Sequence, residues 1–128
     1  FDVLVNKEDD KFRMDFSWRP EKSLAVTFSD DGINWSDPII TLRNDLTTGW
    51  EDDNNRNCVI KIDGKYKMWY TGQARGYSYI GYAESDDGLT WTKPNLRICE
   101  YNGSVENNII LRSQDKPEEG GFFDNFFI

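Results

Sequence analysis

The chain of 128 residues contains no histidine. That absence removes Ser-His-Asp and Cys-His nucleophile systems and most catalytic zinc sites, because each needs an imidazole as base or ligand. Acid–base chemistry confined to this chain therefore falls to carboxylates, with Lys, Tyr or Cys as lesser candidates. Basic residues are also few beside acids, 15 against 23, for a net charge of −8. Nucleic acid and anionic membrane surfaces are poor partners for such a chain, since both are bound by clustered Lys and Arg. No apolar run is long enough to cross a bilayer, and the given sequence carries no secretion signal. Cysteine is down to two residues, Cys58 and Cys99. They fall on the expected first and last strands of one sheet, roughly 14 Å apart at about 4.8 Å per strand step, too far for a disulfide. Free, buried thiols are the expectation.

What the chain does have is a repeat. Residues 12–38, FRMDFSWRPEKSLAVTFSDDGINWSDP, are matched element for element by residues 66–94, YKMWYTGQARGYSYIGYAESDDGLTWTKP. Phe12, Met14 and Phe16 correspond to Tyr66, Met68 and Tyr70, and Ser29-Asp30-Asp31-Gly32, Trp35 and Pro38 to Ser85-Asp86-Asp87-Gly88, Trp91 and Pro94. A repeat of about 54 residues built only of strands and turns is the size of a propeller blade. The predicted fold is all-β, about two four-stranded antiparallel blades of a β-propeller. Two blades alone leave apolar faces uncovered, so further blades are expected from a longer chain or from self-association.

Taken in order, residues 2–42 form blade one, with an innermost strand at 2–6. The alternation of Phe12, Met14, Phe16 and Trp18 with Arg13, Asp15 and Ser17 marks a second strand, and Leu24, Val26 and Phe28 a third. Ser29-Asp30-Asp31-Gly32 reads as a self-capped turn in which Asp accepts backbone N–H groups, Gly supplies positive φ and Trp35 folds back over it. Residues 43–56 are a polar connecting loop, 57–99 blade two, and 107–128 the start of a further blade. Gly72 to Tyr77 reads as a polar loop without a counterpart of equal length in the first repeat. Asn102-Gly103-Ser104 is a turn and also an N-glycosylation triplet.

Long ordered loops carry function, which draws attention to Trp50, Glu51, Asp52, Asp53 and Arg56 in the connecting loop. The run Glu51-Asp52-Asp53 is open to three readings: catalytic carboxylates, a solvated loop, or an oxygen cluster suited to calcium. Trp50 and Tyr77 suit either sugar stacking or packing. No metal or cofactor is otherwise expected.

With these residues laid out, the sequence resembles the five-bladed β-propeller glycoside hydrolases, families 43, 32, 68 and 117. The resemblance rests on Gly64 to Gly72 (GKYKMWYTG), Ile80 to Gly88 (IGYAESDDG), Trp91 and Pro94. The continuation through Glu100-Tyr101-Asn102-Gly103-Ser104 and Asn107-Asn108-Ile109 looks like a glycosyl-hydrolase-like bacterial subgroup. It implies a five-bladed propeller acting on or binding an oligo- or polysaccharide in a carboxylate-lined central pocket, and a secreted or periplasmic location. Such enzymes place carboxylates on inner strands of different blades. One of them stands in an Arg-Asp-Pro-like triplet, matched here by Arg56-Asn57-Cys58, where Asn cannot carry the charge. The replacements are Asp52 and Asp53 at the mouth of the same strand, Asp2 for blade one and Asp124 for the following blade. Trp50, Glu51, Arg56, Asn57, Arg75 and Tyr77 are the expected sugar-binding residues. The alternative is a noncatalytic carbohydrate-binding or scaffold propeller.

Overall fold

The computed structural model describes residues 2–113. Strands β1 (Leu4–Glu8), β2 (Lys11–Trp18), β3 (Ser23–Ser29) and β4 (Ile39–Leu42) form one antiparallel sheet in chain order. Strands β5 (Asp53–Ile62), β6 (Lys65–Ala74), β7 (Tyr77–Ser85) and β8 (Ile109–Arg112) form a second, in the same order. Each sheet is thus a four-stranded meander whose first strand is one edge and whose last is the other. The β5–β6 and β6–β7 hairpins turn on Asp63-Gly64 and Arg75-Gly76, where both residues have positive φ. That is the primed turn that matches the strand twist.

Several boundaries differ from the sequence reading. The innermost strand runs to Glu8, past the expected limit at Asn6, because Lys7 and Glu8 still pair with Phe12 and Lys11. The loop expected at 72–77 is only the two-residue turn Arg75-Gly76, since Gln73 and Tyr77 stay in the ladder. Residues 109–112 do not open a further blade; they pair with Tyr79, Ile80 and Gly81 and complete the second sheet. The second sheet therefore ends beyond Cys99, which lies in the irregular segment before β8 and directs its Sγ at the Ile110 carbonyl, 3.0 Å away. Neither cysteine forms a disulfide among the described residues, and both are half-buried rather than fully buried.

The two sheets pack face to face, β5 lying against β2 and β3. On β2 it is the polar alternates that go inside. Arg13, Asp15 and Ser17 are buried at this interface, whereas Phe12, Met14, Phe16 and Trp18 on the opposite face are half-buried. Arg13 donates two bonds to the Asp15 carboxylate, at 2.9 and 3.0 Å, and a third, at 2.6 Å, to the Gly88 carbonyl of the second sheet's turn. Its guanidinium also lies over the Tyr66 ring, 4.9 Å from the centroid. Burial opposes the charge on Arg13 but is outweighed by the hydrogen bond and charge of Asp15, so its pKa sits above the ordinary value. Burial pushes Asp15 up as well, against the pull of Arg13. The apolar core that completes the interface includes Leu24, Leu42, Val59, Met68, Tyr70, Tyr79 and Ile109.

Both Ser-Asp-Asp-Gly turns close as the sequence predicts. Asp31 Oδ1 accepts the N–H groups of Ile33 and Asn34, and Asp87 Oδ1 those of Leu89 and Thr90, all at 2.8 Å. Trp35 donates to the Gly32 carbonyl at 3.2 Å. These donors favour the ionised carboxylates, so both Asp31 and Asp87 lie below the ordinary range. Their stabilising effect is present above the ordinary Asp value and is lost as pH falls through the lowered one. Amide exchange at Asn34 and Thr90 is therefore expected to stay slow through pH 4, and Asp31→Asn to lose that protection at neutral pH; equal protection in the variant would remove the turn-capping role.

Candidate functional site at the inner rim

The edge strands β1 and β5 begin side by side, and their mouths share a backbone device. Asp2, just before β1, and Arg56, near the start of β5, occupy equivalent places in the repeat, and both are left-handed, with φ of 51° and 53°. Non-glycine residues seldom adopt this conformation, and it persists only where neighbours enforce it. Ser17 does so here: its Oγ accepts the Arg56 N–H at 2.8 Å and reaches Asp2 Oδ2 at 3.4 Å. At Arg56 the β5–β6 pairing skips from Asn55 to Cys58, a bulge that re-aims the side chains around it.

From that bulge a line of side chains crosses the end of the second sheet. Asn55 Nδ2 donates to Asp53 Oδ1 and to Gln73 Oε1, both at 2.9 Å, and Gln73 Nε2 donates to Ser78 Oγ at 3.2 Å. Asn57, the residue standing where a carboxylate is expected, is 7% exposed, and neither its Oδ1 nor its Nδ2 has a hydrogen-bond partner. Buried amides are almost always paired, so this one stands out among the described residues.

Of the residues singled out from sequence, the structure brings Asp2, Asp53, Arg56 and Asn57 to these mouths. Asp52 is half-buried beside them, its carbonyl accepting Asn44 Nδ2 at 2.9 Å. Trp50 and Glu51 go elsewhere. The Trp50 ring is 2% exposed, stacked on Tyr70 at 5.8 Å and slotted against Gly72 and Gly81, so it takes the packing role of the two open to it. Glu51 is wholly buried and accepts Lys93 Nζ at 2.8 and 2.9 Å, Tyr70 OH at 2.8 Å and Asn54 Nδ2 at 3.2 Å. Burial and the Glu51 charge hold Tyr70 well above its ordinary pKa, so it remains a proton donor to Glu51. The three acids of the run thus part company, and among the described residues no group of three or more metal-ligating side chains forms. Arg75 is exposed and donates to Tyr101 OH at 3.1 Å. Tyr77, 46% exposed, stands beside it at the hairpin tip beyond the Asp53–Gln73 pair. Asp124 lies outside the described residues.

Ser17 and Asn55 are not singled out by the sequence, and Gln73 is there read as part of the 72–77 loop. Ser17 and Gln73 act from β2 and β6, and only the sheet register reveals them. Lys93 and Asn108, which donates to Tyr70 OH at 2.8 Å, come from the irregular segment before β8 and have no local signal either.

No protein-family model matches the chain. An uncharacterized protein of Mycobacterium tuberculosis is 39% identical over 66 residues, 49% of this chain and 20% of that protein. Among solved structures, an exo-1,5-α-L-arabinanase from a bovine ruminal metagenomic library superposes with a TM-score of 0.58 at 15% identity, over 88% of this chain and 37% of that one. The native arabinanase of Bacillus subtilis gives 0.57 at 22%, over 84% and 41%. A β-fructofuranosidase of Bombyx mori gives 0.61 at 13%, over 84% and 24%. The chain spans about a fifth of the curated relative and well under half of each of these structures. In fold, its described residues are two four-stranded blades of a β-propeller of the kind these five-bladed glycoside hydrolases build.

Proposed function

We propose that the protein acts on a glycan in the central pocket of its propeller, with Asp2, Asp53, Asn55, Arg56, Asn57 and Gln73 as the part of the rim supplied by these two blades. The observation that supports this reading is the tied backbone junction between the mouths of two adjacent inner strands, where Ser17 accepts the Arg56 N–H and reaches Asp2, with Asp53 opening the strand that carries Arg56. Glycosidic bond cleavage needs a carboxylate to activate water or attack the anomeric carbon and a carboxylic acid to protonate the leaving oxygen. The amides of Asn55, Asn57 and Gln73 suit sugar hydroxyls, which both donate and accept. A secreted or periplasmic location fits the same reading.

The test uses the complete polypeptide and linear α-1,5-arabino-oligosaccharides, chosen because the fold is shared with arabinanases. New reducing ends are expected, with Asp53→Asn lowering their rate by about a hundredfold or more while oligosaccharide binding changes less than about threefold. A second reading, a noncatalytic glycan-binding propeller, is favoured by the neutral, unpaired Asn57. It predicts no reducing ends over long incubation, and sugar binding that weakens in Asn57→Ala and Gln73→Ala. Cleavage that survives in both Asp2→Asn and Asp53→Asn would remove the carboxylate assignment.

A further inference from the structure

The two repeats part company after the proline that closes each self-capped turn. Pro38 runs straight into β4, whereas residues 95–108 stand between Pro94 and β8. The extra segment is held in place by its own bonds: Leu96 N–H donates to the Asn107 carbonyl at 2.8 Å, Asn107 Nδ2 to the Cys99 carbonyl at 2.9 Å, and Tyr101 pairs with Ser104. It also closes on the connecting loop. A Cβ on Gly49 would lie 2.7 Å from Tyr101 OH, so glycine is what lets the two meet. Between them opens a cleft of about 310 Å³, with Thr48, Lys93, Asn95, Tyr101, Ser104 and Asn108 in its walls. An ordered insertion that builds a polar cleft calls for a ligand.

The polar groups of the cleft are only partly used. Lys93, its side chain 26% exposed, gives at most two of its three N–H groups to Glu51. Asn108 is buried and spends both Nδ2 hydrogens, on Tyr70 OH and on the Tyr82 carbonyl at 3.0 Å, while its Oδ1 makes no hydrogen bond among the described residues. Bonds running from Lys93 to Glu51, Tyr70 and Asn108 thus fix a spare donor and a spare acceptor on one network. The Ser104 hydroxyl accepts the Glu106 N–H, and Tyr101 OH accepts Arg75, so each keeps a proton to give. The acids are already paired, Glu51 with Lys93 and Glu106 with Arg97 at 3.3 Å. Nothing there favours a charged ligand.

We propose that this cleft is a second carbohydrate site, on the β8 side of the second sheet, which takes a short neutral sugar segment. A sugar hydroxyl both donates and accepts, so it can receive the spare Lys93 N–H and give its own proton to Asn108 Oδ1. Half-buried Tyr101 offers an aromatic surface to the C–H face of a ring. The volume lies at the small end of ligand sites, which limits the segment to about one or two rings. The inference rests on the cleft alone and stands apart from the reading of the rim.

Amide NMR titration of the complete polypeptide tests it, with arabinotriose, xylotriose and cellotriose as ligands and glycerol as the control. Backbone signals of residues 95–108 are expected to shift and saturate with at least one trisaccharide, and not with glycerol. Asn95→Trp, at an exposed position, is expected to fill the cleft and abolish those shifts while leaving any at residues 53–57 in place. Asp53→Asn should leave the shifts at 95–108 unchanged. Shifts at 95–108 alone would sustain this site and remove the rim as a binder of that sugar; shifts at 53–57 alone would overturn this site and leave the rim standing. Silence at 95–108 with all three sugars at about 10 mM would overturn it as well, as would shifts there that survive Asn95→Trp. Equal shifts with glycerol would mean an adventitious additive only, and the sugar site would fall.

Discussion

Arg13→Ala is expected to remove a large part of the stability that these two blades share, about 3–5 kcal/mol by the cost of stranding one half of a buried ion pair. Against a typical total of about 5–15 kcal/mol, a loss of that size is close to unfolding. The side chain is 2% exposed and its partner Asp15 wholly buried, so neither charge has water to fall back on. The substitution orphans Asp15, leaves the Gly88 carbonyl without its donor and removes the cation from the Tyr66 ring. Urea unfolding of the variant should show a lower midpoint, with loss of Tyr66 and Trp91 packing at the same denaturant concentration. A double variant, Arg13→Met with Asp15→Leu, separates causes: filling the site with apolar groups should recover most of the loss, because the penalty lies in the unpaired charge rather than in the missing bond. An Arg13→Ala midpoint within about 0.5 kcal/mol of the unmodified protein, the range of ordinary surface changes, would deny Arg13 any role in joining the blades.

The same residue shows where sequence reading stops. Strict alternation on β2 reveals two faces, but period two cannot say which face a neighbour covers. Phe12, Met14, Phe16 and Trp18 look like the interior set, and yet the second sheet packs on Arg13, Asp15 and Ser17. The matched stripe in β6, Tyr66, Met68 and Tyr70, is the one facing the first sheet, so the repeat assigns the Phe12 face to contact on the other side. Local chemistry was legible: the Asp-Gly hairpins, the self-capped turns and the polar run before β5 all follow from residue type and spacing. The outer strand of the second sheet was not, because β8 comes only after a long stretch with no period of its own, in which Lys93, Tyr101 and Asn107 are held by contacts distant in sequence or by short bridges. Asp53 and Asn57 were visible as candidates at the rim. Ser17 and Gln73, which help to organise them, belong to other strands, and only the sheet register brings them there.

Trp50→Ala is the second large effect, about 3–5 kcal/mol for an aromatic side chain removed from a packed interior. The ring lies in a slot that only glycine can make. A Cβ on Gly72 would come within 2.5 Å of the ring, and one on Gly81 within 2.7 Å of both Trp50 and Tyr70. Gly81→Ala should therefore destabilise by overpacking, by about 1–3 kcal/mol, although alanine is ordinarily the better residue in a strand. The two changes meet at one place, so they are not expected to add: with the ring gone, one of the two clashes of the Gly81→Ala methyl is relieved and only that with Tyr70 remains, so the double variant should lose less than the sum of the two single losses. The consequence reaches the rim, because Trp50 anchors the segment that carries Glu51 into its network with Lys93 and Tyr70, and Glu51 in turn receives Asn54 at the start of β5. Trp50→Ala should thus loosen the mouth of β5 and weaken glycan binding, without any contact between the ring and the sugar. Tyr77→Ala, at the exposed hairpin tip, should leave stability unchanged, so a comparison of melting temperature and sugar affinity across the two variants separates a supporting aromatic from a contacting one. Gly81→Ala melting with the unmodified protein would mean that the ring does not occupy this slot, and the route from Trp50 to the rim would fall with it.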